Sequence, residues 1–221
     1  LGIGVCTYVE ITGFGGSEYG EVRLQPDGTV LAVTGSTPIG TGHLTTWAMI
    51  VADRMGVPIE AITVFHGDTD RVPSGQLTGG SRSVQIAGSS MGDAADKLIE
   101  LAREAAADLL EAAPGDIVLD RERGAFHVAG SPTAARSWAE IAGDAGEPLV
   151  GLSDFAQAGA TFPFGTHIAD AEVDTETGHA TVERIIAVDD AGVIINPLLA
   201  AGQIHGGLAQ GIAQALLEEF R

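Results

Sequence analysis

The chain has 221 residues, 45% hydrophobic and 19% charged, a composition that supports one sizeable core or two small ones. Acidic residues outnumber basic ones 30 to 11, for a formal charge of -19, and Lys97 is the sole lysine, which excludes an extended basic surface and with it a nucleic-acid partner. No apolar run approaches the roughly 20 residues of a membrane span, and the lone Cys6 excludes an internal disulfide and a cysteine-rich zinc site, so a soluble, cytoplasmic chain is expected.

The start, Leu1-Gly2-Ile3-Gly4, carries no targeting pattern and reads as the middle of a strand-forming region, so the chain is expected to be part of something longer. Cys6, in Val5-Cys6-Thr7-Tyr8-Val9, reads as a small buried core residue. Residues 21 to 34 alternate around Pro26-Asp27-Gly28, a hairpin signal, and the segment from Cys6 to Phe14 is expected to pair beside it. From His43 to Met55 the apolar positions Leu44, Trp47, Ala48, Val51 and Met55 keep helical spacing until Gly56-Val57-Pro58 stops it; a strand over 61–66 follows.

The strongest helical pattern runs over 93–112, with Ala94, Leu98, Leu101, Ala105 and Leu109 on one face, and Pro114-Gly115 ends it. Residues 117–119 and 125–128 form a second expected hairpin, and 137–142 a short helix after Ser131-Pro132. The stretch 143–164 is rich in Gly, Ala and Pro and reads as an irregular connection. Residues 168–173 and 180–188 alternate around Thr175-Glu176-Thr177-Gly178, a third hairpin. The last helix carries Ile204, Leu208, Ile212 and Leu216 at i, i+4 spacing, with Gly206, Gly207 and Gly211 expected to thin it for close packing. Sheet followed by helix about three times implies an α+β fold, hairpin-built mixed sheets each packed with helices. The expected organisation is a sheet-plus-helix region over 1–142, a connection over 143–165, and a hairpin with a glycine-rich helix over 166–221.

Three glycine-bracketed polar segments stand at or before helix starts, where backbone N–H groups are free to meet an anion. Gly40-Thr41-Gly42-His43 opens the helix at Leu44, and by itself reads as a capped turn. Thr78-Gly79-Gly80-Ser81-Arg82-Ser83 places one of the few cations among glycines and hydroxyls, which reads either as a phosphate grip by a guanidinium fork or as a surface arginine balancing the acidic field. Gly202-Gln203-Ile204-His205-Gly206-Gly207 follows Asn196-Pro197, and Gln203, taken to precede the helix body, is its better contact candidate. None matches a P-loop or Gly-x-Gly-x-x-Gly. No His-x-x-x-His pair occurs, and no catalytic residue and no metal ligand is assigned. Asp68 and Asp70 read as turn and cap residues.

In order and spacing, Gly2-Ile3-Gly4, Tyr8-Val9-Glu10, Gly40 to Thr46, Gly67-Asp68-Thr69-Asp70, Gly80-Ser81-Arg82-Ser83 and Gly202-Gln203-Ile204-His205-Gly206-Gly207 resemble the molybdenum-binding large subunit of the xanthine dehydrogenase, aldehyde oxidase and aerobic carbon monoxide dehydrogenase family, most of all its carbon monoxide dehydrogenase-like branch. The resemblance implies a molybdopterin cytosine dinucleotide carrying molybdenum. Thr41, Gly42 and His43, with Gly40, would lie near its pterin or metal end. Thr78, Gly80, Ser81, Arg82 and Ser83 would line its pyrophosphate, and Asn196 and Gln203 would close another side. It also implies an oxidoreductase parent, with the remainder of the large subunit and iron-sulfur and flavin subunits as partners.

Two departures stand out. Thr41 replaces the glutamine usual in the family's first loop, and the family's Gly-x-Gly-Glu catalytic glutamate lies beyond Arg221, so the 221 residues alone are expected to be inactive. The competing reading is a non-catalytic, acidic protein-interaction domain whose glycine loops serve packing.

Overall fold

The structure, a computed structural model, describes residues 1–13 and 15–219. The chain divides into two compact units, Leu1–Thr12 with Ala160–Arg221, and Gly13–Gly159. Phe14, at the end of the segment expected to pair with the first hairpin, lies outside the described residues.

The larger unit is built on a four-stranded mixed sheet. β2 (Ser17–Leu24) and β3 (Val30–Thr34) form the expected hairpin. Its turn is fixed locally: Asp27 Oδ1 accepts from the Thr29 N–H at 2.9 Å and the Thr29 hydroxyl at 2.6 Å, and Gly28 takes φ 85. From β3 the chain crosses through α1 (His43–Met55) to β4 (Ile62–His66), which pairs parallel to β3. Such a crossover needs a helix to cover the sheet, and Trp47, Val51 and Met55 supply its buried face. Gly56, left-handed at φ 66, ends α1 by donating to Ala52 O.

α2 (Gly88–Leu109) begins earlier than the periodicity alone indicates, because its first turns bury Gly88, Ser90 and Gly92, with Met91 the one large apolar side chain among them. The sheet ends in β8 (Val150–Ala156), antiparallel to β2. This strand corrects the expectation of an irregular connection. Its inward positions are Gly151 and Ser153, and Leu152, which looks like a core residue in sequence, is 52% exposed. The reason is close packing: a Cβ on Gly151 would strike Ala94 O and Leu98 N of α2. Lys97 Nζ donates to Leu152 O at 2.9 Å and the Ser153 hydroxyl to Asp93 Oδ2 at 2.6 Å, tying helix to strand.

A second sheet of this unit joins β5 (Ile117–Asp120), β6 (Ala125–Val128) and β7 (Ser131–Ser137). β7 is a strand where sequence gave only a lead into a helix; its residues are mostly polar or small and its first half is exposed. α3 (Trp138–Asp144) starts on a capping box between Ser137 and Glu140. Trp138 packs edge-on against Phe126 at 4.8 Å and donates to Met55 O at 3.1 Å, joining this sheet to the end of α1.

The smaller unit is a three-stranded antiparallel sheet, β1 (Gly2–Val9), β9 (Phe164–Val173) and β10 (Ala180–Asp190), with α4 (Pro197–Leu216). β1 therefore pairs with β9, not with the first hairpin. Cys6 is exposed on it, contrary to its reading as a core residue. Tyr8 and His167 both meet Asp189 Oδ1, at 2.8 and 2.9 Å, pinning the three strands together over Gly165. A Cβ at Gly165 would meet that carboxylate and the Tyr8 ring, so the pin requires glycine. Those two hydrogen bonds, His167 first, lower the Asp189 carboxyl from its ordinary range.

α4 begins at Pro197, with Asn196 as its cap, and so takes in the whole Gly202–Gly211 stretch. Gln203 is inside the helix, not ahead of it. Among the described residues, no atom lies within 4 Å of a Cβ added at Gly202, Gly206, Gly207 or Gly211 of α4, so the expected close packing of this helix is not seen.

Candidate functional site

β3 and β4 run parallel in register, Thr34 beside His66, so both leave the sheet at one edge. Two loops diverge from it, 35–42 into α1 and 67–82 into the helical run that opens with a π-turn at Ser83–Ala87. The carboxyl edge of parallel strands is where open sheets of this kind gather ligands. Nine of the eleven residues singled out in sequence, Gly40 to His43 and Thr78 with Gly80 to Ser83, lie on these two loops or begin the helical segments that follow them.

A row of hydroxyls stitches the loops together. Thr78 donates to Thr37 O at 2.6 Å, which uses its one proton, so at the 2.8 Å contact with Ser83 it is the acceptor. Ser83 then donates to Thr78 and accepts from Ser36 at 3.5 Å, while the Ser36 N–H donates to Thr34 Oγ1 at 3.1 Å. Trp47 completes the join: its indole N–H donates to Ser83 O at 2.8 Å, fastening α1 to the second loop. His43 stacks on Trp47 with ring centroids 5.2 Å apart. The Thr41 hydroxyl lies 3.1 to 3.2 Å from the two His43 ring nitrogens. Burial lowers the His43 pKa below its usual 6.5, so the ring is neutral at neutral pH and keeps one donor and one acceptor nitrogen.

The second loop has the backbone form that an anion site needs. Gly80 and Ser81 are consecutive left-handed residues, φ 64 and 54, followed by right-handed Arg82. Ser81 is one of only two non-glycine residues with positive φ among those described, a conformation that L-residues adopt at a cost. Gly13 N–H anchors the turn from behind by donating to Gly80 O at 3.0 Å. Arg82 N–H closes the turn over 80–81, while among the described residues the N–H groups of Gly79, Gly80 and Ser81 donate to no protein acceptor. Successive free amides in a turn form a concavity that binds anions, so the turn suits a phosphate by its main chain alone.

The Arg82 side chain is 5% exposed, with Nη1 3.7 Å from Glu18 Oε2 of β2. The guanidinium that sequence offered as a phosphate fork is buried against a carboxylate. Its three nitrogens have no hydrogen-bond partner, nor does Glu18 Oε1. Burial pushes the Glu18 carboxyl above its ordinary range, and the guanidinium draws it part of the way back. Sequence reasoning missed Glu18, Ser36 and Trp47. Trp47 was legible as the residue one helical turn after His43; Glu18 in Ser17-Glu18-Tyr19 looks like an ordinary solvated strand charge.

Asn196 and Gln203 belong to the smaller unit. Asn196 Oδ1 accepts from the Leu199 N–H at 3.1 Å and so caps α4, and Gln203 is exposed about two helical turns on. Among the described residues no group of three or more His, Cys, Asp and Glu side chains could hold a metal ion, and no helix is long and apolar enough to cross a membrane.

A mixed sheet with a parallel pair, and an amide-lined turn bound to a hydroxyl row at that pair's edge, form an arrangement of the class that suits a phosphorylated ligand. The chain belongs to the molybdopterin cofactor-binding domain family, whose model matches residues 1–221. The carbon monoxide dehydrogenase large chain of Hydrogenophaga pseudoflava is 38% identical, the match covering 100% of this chain and 30% of that one. A crystal structure of the Cu,Mo carbon monoxide dehydrogenase superposes with TM-score 0.93 at 35% identity, over 100% of this chain and 30% of the other. Quinoline 2-oxidoreductase from Pseudomonas putida 86 superposes with TM-score 0.91 at 35% identity and the same coverage. The chain thus spans about 30% of the length of these relatives. The α+β fold and the family expected from the motifs are those found, and the non-catalytic interaction domain is not favoured.

Proposed function

We propose that this chain forms one part of the wall that holds a molybdopterin cytosine dinucleotide in the large subunit of a molybdenum-containing oxidoreductase of the carbon monoxide dehydrogenase type. The observation that carries this reading is the turn at 79–82, where among the described residues the N–H groups of Gly79, Gly80 and Ser81 lack a protein acceptor at the edge of a parallel strand pair. Such a turn fits a pyrophosphate, and the neutral imidazole of His43 and the Thr41 hydroxyl fit the polar rim of a pterin.

Gly79 to Ser81 bind through their amides, and Thr78 and Ser83 hold the turn in shape. Gly40, Thr41, Gly42 and His43 face the pterin end; Asn196 and Gln203 close another side. The bound molybdenum centre supplies oxygen-transfer and two-electron chemistry, and these residues bind and orient it. Iron-sulfur and flavin subunits are the proposed electron partners, in a cytoplasmic complex.

The test is Ser81→Asp in the intact protein. Ser81 is exposed, so folding should survive, while a carboxylate at the tip of a phosphate cradle should lower molybdenum and extractable pterin per polypeptide by about tenfold or more. Unchanged molybdenum and pterin in the folded variant would remove the phosphate assignment of the turn.

A further inference from the structure

The buried pair Glu18 and Arg82 has no role in the reading above, and its surroundings give it one. Glu18 is 1% exposed and lies beneath the place where two loops cross. A Cβ on Gly35 would meet Ser74 O, Gly75 Cα and Glu18 Oε1, so the first loop, the segment 74–75 and this carboxylate are packed without a spare atom. The backbone N–H of Gln76 also favours the charged form of the carboxylate. Arg82 approaches it from the third direction, at 3.7 Å. One side chain on β2 therefore touches the loop from β3, the segment after β4, and the last residue of the amide turn.

Arg82 is also the residue that changes the hand of the turn, following left-handed Gly80 and Ser81. A guanidinium keeps its proton at any relevant pH, so it is held under the loops only while a counter-charge is there. Its nitrogens make no hydrogen bond, so charge rather than hydrogen-bond geometry retains it.

We propose that Glu18 is the positioning residue of the cofactor cradle: by holding Arg82 inward it fixes the left-handed Gly80-Ser81 turn, leaving the backbone amides, not the arginine side chain, to take the phosphate. This rests on the reading of the turn as the phosphate site. It assigns a function to a residue on a strand remote in sequence, and it reassigns Arg82 from ligand to support.

Four variants of the intact protein test it: E18Q, R82Q, the pair E18Q/R82Q, and S81D as the reference for the site itself. Molybdenum and pterin content are read beside gel filtration and thermal melting. E18Q leaves a buried guanidinium uncompensated, and should lower cofactor content roughly tenfold or more. R82Q leaves a carboxyl that can take up a proton, so its loss should be smaller. E18Q/R82Q replaces the pair by two neutral amides and should recover cofactor to within about twofold of the starting protein, a rescue that a ligand role for Arg82 forbids.

The proposal falls if E18Q retains its cofactor, or if R82Q and E18Q/R82Q lose it equally, which would make the guanidinium the phosphate ligand. If E18Q fails to fold, the double variant still decides, since it carries no unpaired charge. Retention of cofactor in S81D would instead sink the site reading, a result distinguishable from failure of the Glu18 role because it does not involve the pair.

Discussion

At the scale of single residues, small side chains and hydroxyls do the joining in this domain, and large apolar ones fill behind them. Ser153 is the clearest case: it is 4% exposed on β8 and donates at 2.6 Å to Asp93, which also meets Lys97 at 2.9 Å. The Ser153 bond, ahead of the Lys97 contact, lowers the Asp93 pKa below its ordinary 3.8. A carboxyl lowered on folding adds stability that is present above its unfolded pKa and is lost as pH falls through the native one. Ser153→Ala should therefore destabilise the chain by about 1 kcal/mol at pH 7, since Asp93 is half-exposed and rehydrates. Urea melts of the two proteins should converge as the pH is taken below 3.8 toward the native value. A difference that persists undiminished in acid would show that Ser153 acts by packing rather than through the carboxylate.

Elements were legible in the sequence where local chemistry fixes them. The turns at Pro26-Asp27-Gly28 and Thr175-Glu176-Thr177-Gly178 are built from side chains that bond their own backbone, and both hairpins form where the turns indicate. α1 was legible because its apolar stripe and its Gly56 stop are both local. β8 was not, because its buried positions are Gly151 and Ser153 while Leu152 faces out, an inversion of the usual apolar pattern. That inversion comes from α2 lying against the strand, a tertiary fact. The same blindness hid Glu18, whose burial depends on loops 17 or more residues away in sequence. The start of α4 misled in the opposite sense, since Gln203, expected ahead of the helix body, lies inside it. Gly151→Ala tests the packing explanation. It should cost about 3 kcal/mol, the upper end for overpacking, because backbone of α2 stands in the way. Gly146→Ala, with nothing within 4 Å, should leave the melting curve unchanged and serves as the control. Equal melts for Gly151→Ala and the parent would mean that α2 does not hold this distance.

On the scale of the whole molecule, stability and the site are concentrated in one unit. Every residue of the buried apolar cluster, from Val22 through Trp47, Met91 and Leu98 to Ile141, lies within 13–159. So do both loops of the proposed cradle. In the smaller unit α4 buries no residue, and its four glycines, 202, 206, 207 and 211, each weaken it by about 1 kcal/mol relative to alanine. With only Leu199, Ala200, Leu208, Ile212 and Ala213 half-buried, this 20-residue helix rests largely on propensity and is marginal in water. Residues 13–159 expressed alone should therefore unfold in one cooperative transition, with a midpoint close to that of the 221-residue chain. Native-state hydrogen exchange on the 221-residue chain should show α4 amides exchanging near unfolded rates while the α2 amides of Leu98 to Ala106 wait for global unfolding. Protection of α4 equal to that of α2, or an unfolded 13–159 fragment, would overturn this division. Its consequence for function is specific: Asn196 and Gln203 can take part in holding a cofactor only where further protein covers α4, whereas the amide turn at 79–82 is already fixed by the core beneath it.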